Sequence, residues 1–364
     1  MNGEENMSWN ENAFTKKLNL IYPIIQAGMA GGITTPELVA AVSNYGALGS
    51  IGAGYMTASE MSKAIRDTKQ MTNKPFNVNV FVPSAETTTL KDKYYQKALE
   101  AIKPYFEKLK VEEEPVIKNY SSIFDNQIDT ILEEGADICS FTFGAPAREV
   151  VSRLKEKGIM LIGTATTAAE AIVLEESGMD AIVVQGSEAG GHRGNFPDTK
   201  EEVSVGTMAL VPQIVDCVSI PVIAAGGIMD GRGIKAAMAI GAQGVQLGTV
   251  FLATEESGAH PVYKEKIISS DEQSTMMTKA FSGKYARGIR NTFMEEMEKR
   301  IETILPYPMQ HDLTSVMRKQ AAAQQDPNYM SLWAGQGVGM VKQSQSATQV
   351  MDELIRKIYT GTKG

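Results

Sequence analysis

The chain has 364 residues, enough for one large core or two modest ones, and its hydrophobic and charged fractions, 43% and 21%, are those of an ordinary globular protein. Its 35 basic and 43 acidic side chains leave a net charge of −8 without a long block of one sign, which excludes the basic footprint of a nucleic-acid binder or of a protein held on an anionic membrane. No apolar run approaches the roughly 18 residues that cross a bilayer, and the polar start Met1-Asn-Gly-Glu-Glu-Asn is no secretion signal, so a cytoplasmic location is expected.

Short apolar runs alternate with stretches of helical period from the beginning. Pro23-Ile-Ile-Gln-Ala-Gly28 reads as a first strand. The helix after it, over about residues 36–45, begins with Pro36 behind Thr35, residue types that suit the first helical position and the cap before it. Ala47-Leu-Gly-Ser-Ile-Gly52 gives a second strand, with a helix near 58–71, and Phe76-Asn-Val-Asn-Val-Phe-Val82 a third. Residues 84–120, polar and rich in Lys, Glu and Tyr, interrupt the rhythm and are expected to form a helical insertion. Runs at 138–144, 160–165, 181–186, 221–227 and 244–251 then bring the count to eight. Gly135-Ala-Asp-Ile and Gly178-Met-Asp-Ala repeat one junction, in which a Gly ends a helix and an Asp turns the chain into the next strand.

Continuous apolar strands alternating with helices imply a parallel sheet covered by helices, and eight of them favour a closed (β/α)8 TIM barrel over an open doubly wound sheet. Residues 254–345 lose the alternation and read as Met- and Gln-rich helical pieces, a lid or extension, before a last helix near 346–359. The expected division is a barrel of residues 1–253 and 346–364, carrying the insertion 84–120, and a helical lid or extension of residues 254–345.

In such a barrel, ligands meet the carboxyl ends of the strands. The seventh strand ends in Ala224-Ala-Gly-Gly-Ile-Met-Asp-Gly-Arg-Gly233, and the eighth runs through Gln246-Leu-Gly-Thr249. Paired glycines let a backbone approach a ligand, and consecutive amides make an anion nest. Either loop alone reads equally well as a tight turn; two in adjacent units favour a phosphate-bearing cofactor. Asn79, Gln185 and Gln246 are amides on otherwise apolar strands. Singly each would be a structural hydrogen bonder, whereas together they fit the polar edge of a planar ring such as a flavin. No GxGxxG stands between a strand and a helix, so a mononucleotide, FMN, suits the barrel better than a dinucleotide. His192 follows Glu188-Ala-Gly-Gly191 in the loop after strand six, where an imidazole can move a proton or carry charge. The other histidines, His260 and His311, fall beyond the eighth strand. Cys139 and Cys217 read as buried reduced thiols, and no second His or Cys lies at metal-ligand spacing, so no metal is expected.

The chain resembles the bacterial nitronate monooxygenases over essentially its whole length. The matching stretches are Gln26-Ala-Gly-Met-Ala-Gly-Gly, Asn77-Val-Asn-Val-Phe, Gln185-Gly-Ser-Glu-Ala-Gly-Gly-His-Arg-Gly194, the loop from Ala224 and Gln246-Leu-Gly-Thr. The resemblance implies FMN contacts from Ala27, Gly28, Met29, Asn79, Gln185, Gly190, Gly191, Gly226, Gly227, Gln246, Leu247, Gly248 and Thr249, with His192 as the active-site histidine. It implies oxidation of an alkyl nitronate, such as propionate 3-nitronate, by O2 to a carbonyl product and nitrite, with the nitronate charge near a protonated or hydrogen-bonding His192. Trp333 and Gln336 are candidates for the substrate pocket, and a homodimer stays open as the assembly. The flavin-type enoyl-acyl-carrier-protein reductases share Glu-Ala-Gly-Gly-His and Ala-Ala-Gly-Gly-Ile, and are the alternative. Arg193 and the insertion 84–120 favour the nitronate enzymes. A barrel that holds a flavin or phosphate without catalysis is a third reading, opposed by the intact histidine.

Overall fold

A computed structural model describes residues 9–84, 92–200 and 204–360. Its centre is a ring of eight parallel strands, Ile24–Gln26, Gly49–Gly52, Phe76–Phe81, Ile138–Thr142, Met160–Ala165, Ala181–Gln185, Val222–Ala225 and Gly244–Leu247. Strands two to eight pair in sequence order, and the first pairs with the eighth, Ile24 opposite Val245. A parallel bridge between Ile25 and Leu48 joins the first to the second and closes the (β/α)8 barrel.

Alternation along each strand divides two cores. Val78, Val80, Cys139, Phe141, Leu161, Ile182, Val184 and Leu247 face the helices, while Ile25, Leu48, Ile138, Met160, Ile162 and Ile223 fill the barrel interior. Phe14, on a short helix Ala13–Leu18 capped by Asn12, joins the interior cluster and plugs the amino-terminal end of the barrel. Toward the carboxyl ends the interior turns polar: Asn77 Nδ2 donates to Ser140 Oγ at 2.8 Å, and Asn79 Nδ2 to the same oxygen at 2.8 Å. Helices start where the sequence supplies caps. Thr35 accepts from Leu38 N–H ahead of Pro36–Asn44, and Thr57 and Glu60 form a capping box ahead of Ala58–Met71.

The insertion carries the helix Asp92–Leu109, which packs on Met309–Ala323 of the C-terminal extension; residues 85–91 of it lie outside the described residues. The extension is not wholly helical. Thr275–Thr278 and Ala286–Ile289 form an antiparallel pair, and Gly191–His192 joins it as a third strand, His192 opposite Ala286. The short ribbon gave no strand signal because one of its strands, Thr275–Thr278, is only partly buried at three of its four residues and polar at both ends. The last helix, Ala347–Thr360, returns to pack against Gly231–Ala239 and Pro36–Asn44. Cys139 is buried as expected, whereas Cys217, just past the helix Thr207–Val215, is only partly buried; both are free thiols. No helix among the described residues is long and apolar enough to cross a membrane.

Candidate active site

A cavity of about 400 Å³ opens at the carboxyl ends of the strands, within the range of small-ligand and cofactor sites. Of the residues singled out in the sequence, Ala27, Gly28, Met29, Asn79, Gln185, Gly190, Gly191, His192, Gly226, Gly227, Gln246, Gly248 and Thr249 all line it. Leu247 does not: it is buried among the outer helices, and it meets the site only through its carbonyl, which accepts from Ala27 N–H at 2.9 Å. Strand alternation explains the difference, because Gln246 inward requires Leu247 outward. Trp333 lines the cavity, whereas Gln336 is exposed and contributes its backbone N–H to the Glu188 carbonyl at 2.9 Å.

One end of the cavity is a backbone cradle. Gly226 and Gly227 have φ of 115° and 70°, in the left-handed region that glycine tolerates. Among the described residues, the N–H groups of Gly227, Ile228, Gly248 and Thr249 donate to no protein acceptor. Glu188 holds the neighbouring loop in place. The helix Thr207–Val215 begins at Gly206, which has no side chain to cap it, and the Glu188 carboxylate replaces the missing cap by accepting from Thr207 N–H at 2.9 Å and Thr207 Oγ at 2.8 Å. Glu188 is thus occupied in structure.

Gln185 is likewise engaged. Its Nε2 donates to the His192 carbonyl at 2.9 Å, and its Oε1 accepts from Gly194 N–H at 2.8 Å. Buried Arg193 donates through Nη1 to the Gln185 carbonyl at 2.7 Å and does not line the cavity. The Gln185–Arg193 segment therefore clips its own loop so that His192 is fixed above the barrel mouth.

The imidazole of His192 meets Ser282 Oγ through Nε2 at 2.8 Å and packs among Phe143, Tyr307 and Trp333, with ring centroids 5.9, 5.7 and 5.5 Å away. Burial, with Lys284 and Arg318 adding like charge, brings its pKa down to about 3. His192 is accordingly a neutral imidazole near neutral pH, which, of the two expected states, protonated or hydrogen-bonding, favours the hydrogen-bonding one. The positive charge of the cavity wall belongs instead to Arg318, on the helix Met309–Ala323.

Arg318 was missed in the sequence, as were His311, Tyr55, Phe81, Phe143 and Phe281. Tyr55 stacks on His311 with centroids 3.9 Å apart, and burial, then Arg318, hold His311 well below its ordinary pKa. The spacing of His311 and Arg318, seven residues apart on one helix, places both on one face, a signal available in the sequence but meaningless without knowing that the face covers the barrel. Among the described residues no group of three or more His, Cys, Asp or Glu side chains could hold a metal ion.

The sequence matches the family described as nitronate monooxygenase over residues 12–357. A Staphylococcus haemolyticus protein named "Probable nitronate monooxygenase" is 49% identical over 97% of this chain and 98% of its own. A Staphylococcus aureus (strain Newman) protein of the same name is 50% identical over 96% and 98%. Among solved structures, nitroalkane oxidase from Streptomyces ansochromogenes superposes with a TM-score of 0.88 at 38% identity, covering 95% of this chain and 98% of its own. FabK from Thermotoga maritima gives 0.75 at 32% identity, covering 96% of both chains.

Proposed function

The chain belongs to the nitronate monooxygenase family and is an oxidoreductase, and from that footing we propose that it binds FMN and oxidises alkyl nitronates, propionate 3-nitronate among them, with O2 to a carbonyl product and nitrite. The observation that supports this reading is the joining, in one cavity wall, of the amide cradle at the seventh and eighth strands with a buried neutral imidazole on the loop after the sixth.

The residues present suit a flavin mononucleotide. The amides of Gly227, Ile228, Gly248 and Thr249 would take its phosphate. Asn79 and Gln246, with the backbone of Ala27, Gly28 and Met29, would meet the polar edges of its ring. Gly191, where a Cβ would meet nothing within 4 Å, leaves room beside it, and Gln185 acts by holding the His192 carbonyl. When bound, FMN supplies the electron acceptor for the oxidation. The chain supplies placement and proton handling. With Nε2 against Ser282, His192 has Nδ1 as the ring nitrogen without a protein partner among the described residues. Toward a preformed nitronate the imidazole serves as a neutral polar contact; toward a neutral nitroalkane, Nδ1 would accept the proton from the carbon beside the nitro group. Phe143, Tyr307 and Trp333, packed around the imidazole, exclude water from it.

The test is anaerobic mixing of the purified holoprotein with propionate 3-nitronate. Bleaching of a yellow, FMN-containing protein is the expected result, and replacing His192 by Asn should keep the colour while cutting turnover by about 10²–10⁴-fold. A protein without flavin overturns the reading. So does a flavin reduced rapidly by NADH or NADPH with turnover of an enoyl thioester, the outcome expected of the enoyl-acyl-carrier-protein reductase alternative.

A further inference from the structure

Arg318 is a half-buried cation in the cavity wall with no anionic partner. Its Nε donates to Thr314 Oγ at 3.2 Å, and its Nη2 to the His311 carbonyl at 2.7 Å, beside His311 Nδ1 at 3.3 Å. Its Nη1 donates to no protein atom among the described residues, and no ion pair to Arg318 is found there. The nearby carboxylate, Asp312, acts on it only through space and forms no hydrogen bond to it: Tyr120 Oη donates to one oxygen at 2.6 Å and Lys118 N–H to the other at 2.9 Å. A half-buried guanidinium without a hydrogen-bonded carboxylate gains from an anion that completes it, and its planar fork suits a two-oxygen acceptor.

His192 and Arg318 share the cavity without a hydrogen bond between them and sit in different aromatic settings. His192 lies among Phe143, Tyr307 and Trp333, and Arg318 lies against His311, whose ring stacks on Tyr55. The site therefore has two polar stations, one neutral and one cationic. We propose that Arg318 is a specificity-determining residue that receives a carboxylate carried by the substrate, leaving the reacting nitro or nitronate group to the His192 station. The inference rests on the nitronate reading for its turnover test but not for its binding test. His311 is a positioning residue here: its carbonyl and ring both meet Nη2 while Thr314 holds Nε, so that Nη1 is the donor left for a ligand.

Two measurements on the holoprotein test it. The first compares kcat/KM for propionate 3-nitronate with that for propyl-1-nitronate, which lacks the carboxylate. Arg318→Gln keeps a donor for the His311 carbonyl and removes the charge; the ratio of the two constants should fall on the order of tenfold or more. Arg318→Lys, with charge but no fork, should give an intermediate ratio, and it decides the question alone if the Gln variant does not fold. An unchanged ratio, or an equal loss for both substrates, overturns the proposal, because Arg318 would then serve the nitronate group or the fold. The second reads thermal stabilisation by 3-nitropropionate against 1-nitropropane, without turnover. The wild-type protein should be stabilised by the carboxylate compound and Arg318→Gln should lose that shift. Retention of the shift in the variant also overturns the proposal. If no nitronate is oxidised but the shift behaves as expected, the reaction assignment fails while the role of Arg318 stands.

Discussion

Gly190 and Gly335 are where the barrel loop and the extension cross backbone to backbone, and replacing Gly190 by Ala tests how firmly one is seated on the other. A Cβ at residue 190 would lie 2.4 Å from Gly335 N and 2.5 Å from the Ala334 carbonyl carbon. Both obstacles are main chain, so no side chain can swing aside. Restoring a contact of about 3.4 Å requires the two loop segments to part by about 1 Å, since 3.4 − 2.4 = 1.0. That movement stretches two hydrogen bonds, Gly335 N–H to Thr249 Oγ and Gln336 N–H to the Glu188 carbonyl, both 2.9 Å. Overpacking costs about 1–3 kcal/mol and the two bonds about 0.5–1.5 kcal/mol each, about 2–6 kcal/mol together. With an unfolding entropy of about 2.1 cal/mol/K per residue over the chain, this corresponds to a Tm lower by roughly 3–8 °C. Differential scanning fluorimetry reads the shift, and the same sample assayed for turnover should show a loss, because Glu188 and His192 flank the displaced residue. A Gly190→Ala protein with wild-type Tm and wild-type turnover would refute the crossing as described.

Gly248 offers the opposite case. A Cβ there would meet only Ala27 Cβ and Met29 Sδ, both at 3.8 Å, so Gly248→Ala should leave the apoprotein within about 1 kcal/mol of wild type and still lower its flavin content. Full retention of flavin on gel filtration would remove Gly248 from the cofactor cradle. Glu188→Gln should destabilise the protein by about 1–3 kcal/mol in urea unfolding, through the cap of the helix Thr207–Val215; an unaffected midpoint would contradict the capping role. The pH dependence follows from His192 being neutral in the folded state, with a pKa of about 3. The unfolded chain binds that proton near pH 6.5, so the stability is complete above about pH 6.5 and is lost progressively as pH falls toward 3, at up to about 1.4 kcal/mol per pH unit for this group. Urea unfolding at pH 7 and pH 5 should therefore show a smaller acid loss in His192→Asn than in wild type, and equal losses would place the imidazole in a wetter setting than the one seen.

The barrel was legible because its signals are local and repeated. Runs such as Met160–Ala165 and Ala181–Gln185 are buried almost throughout, so their apolar letters are continuous, and Gly, Asp and Thr mark the junctions. Most of the cavity wall was legible for the same reason, since glycines and amides at strand ends stand out against apolar neighbours. What escaped depends on pairings distant in sequence. Nothing near His192 announces that Ala286 lies opposite it, or that Ser282, ninety residues on, touches its ring. His311 and Arg318 read as ordinary residues of a polar helix until that helix is laid over the barrel. The charge state of His192 stayed open between protonated and hydrogen-bonding forms, because burial, not the identity of its neighbours in sequence, sets it. Leu247 alone of the singled-out cofactor residues lies off the cavity, as a strict period of two from Gln246 requires.

The strand Gly191–His192 belongs at once to the loop after the sixth barrel strand and to the ribbon of the extension. This shared ownership limits how the protein can be rebuilt by recombination. An exchange of the extension between relatives that cuts near residue 254 would separate His192 from Ala286 and Arg193 from Tyr285, whose carbonyl accepts the Arg193 N–H at 2.8 Å. A workable graft must carry residues 186–195 together with 275–289 as one inheritable unit. The helix Met309–Ala323, which presents His311 and Arg318, is tied to the same unit, Gln310 Nε2 donating to the Ala280 carbonyl at 2.8 Å and Thr314 Oγ to the Phe281 carbonyl at 2.6 Å, and has to travel with it.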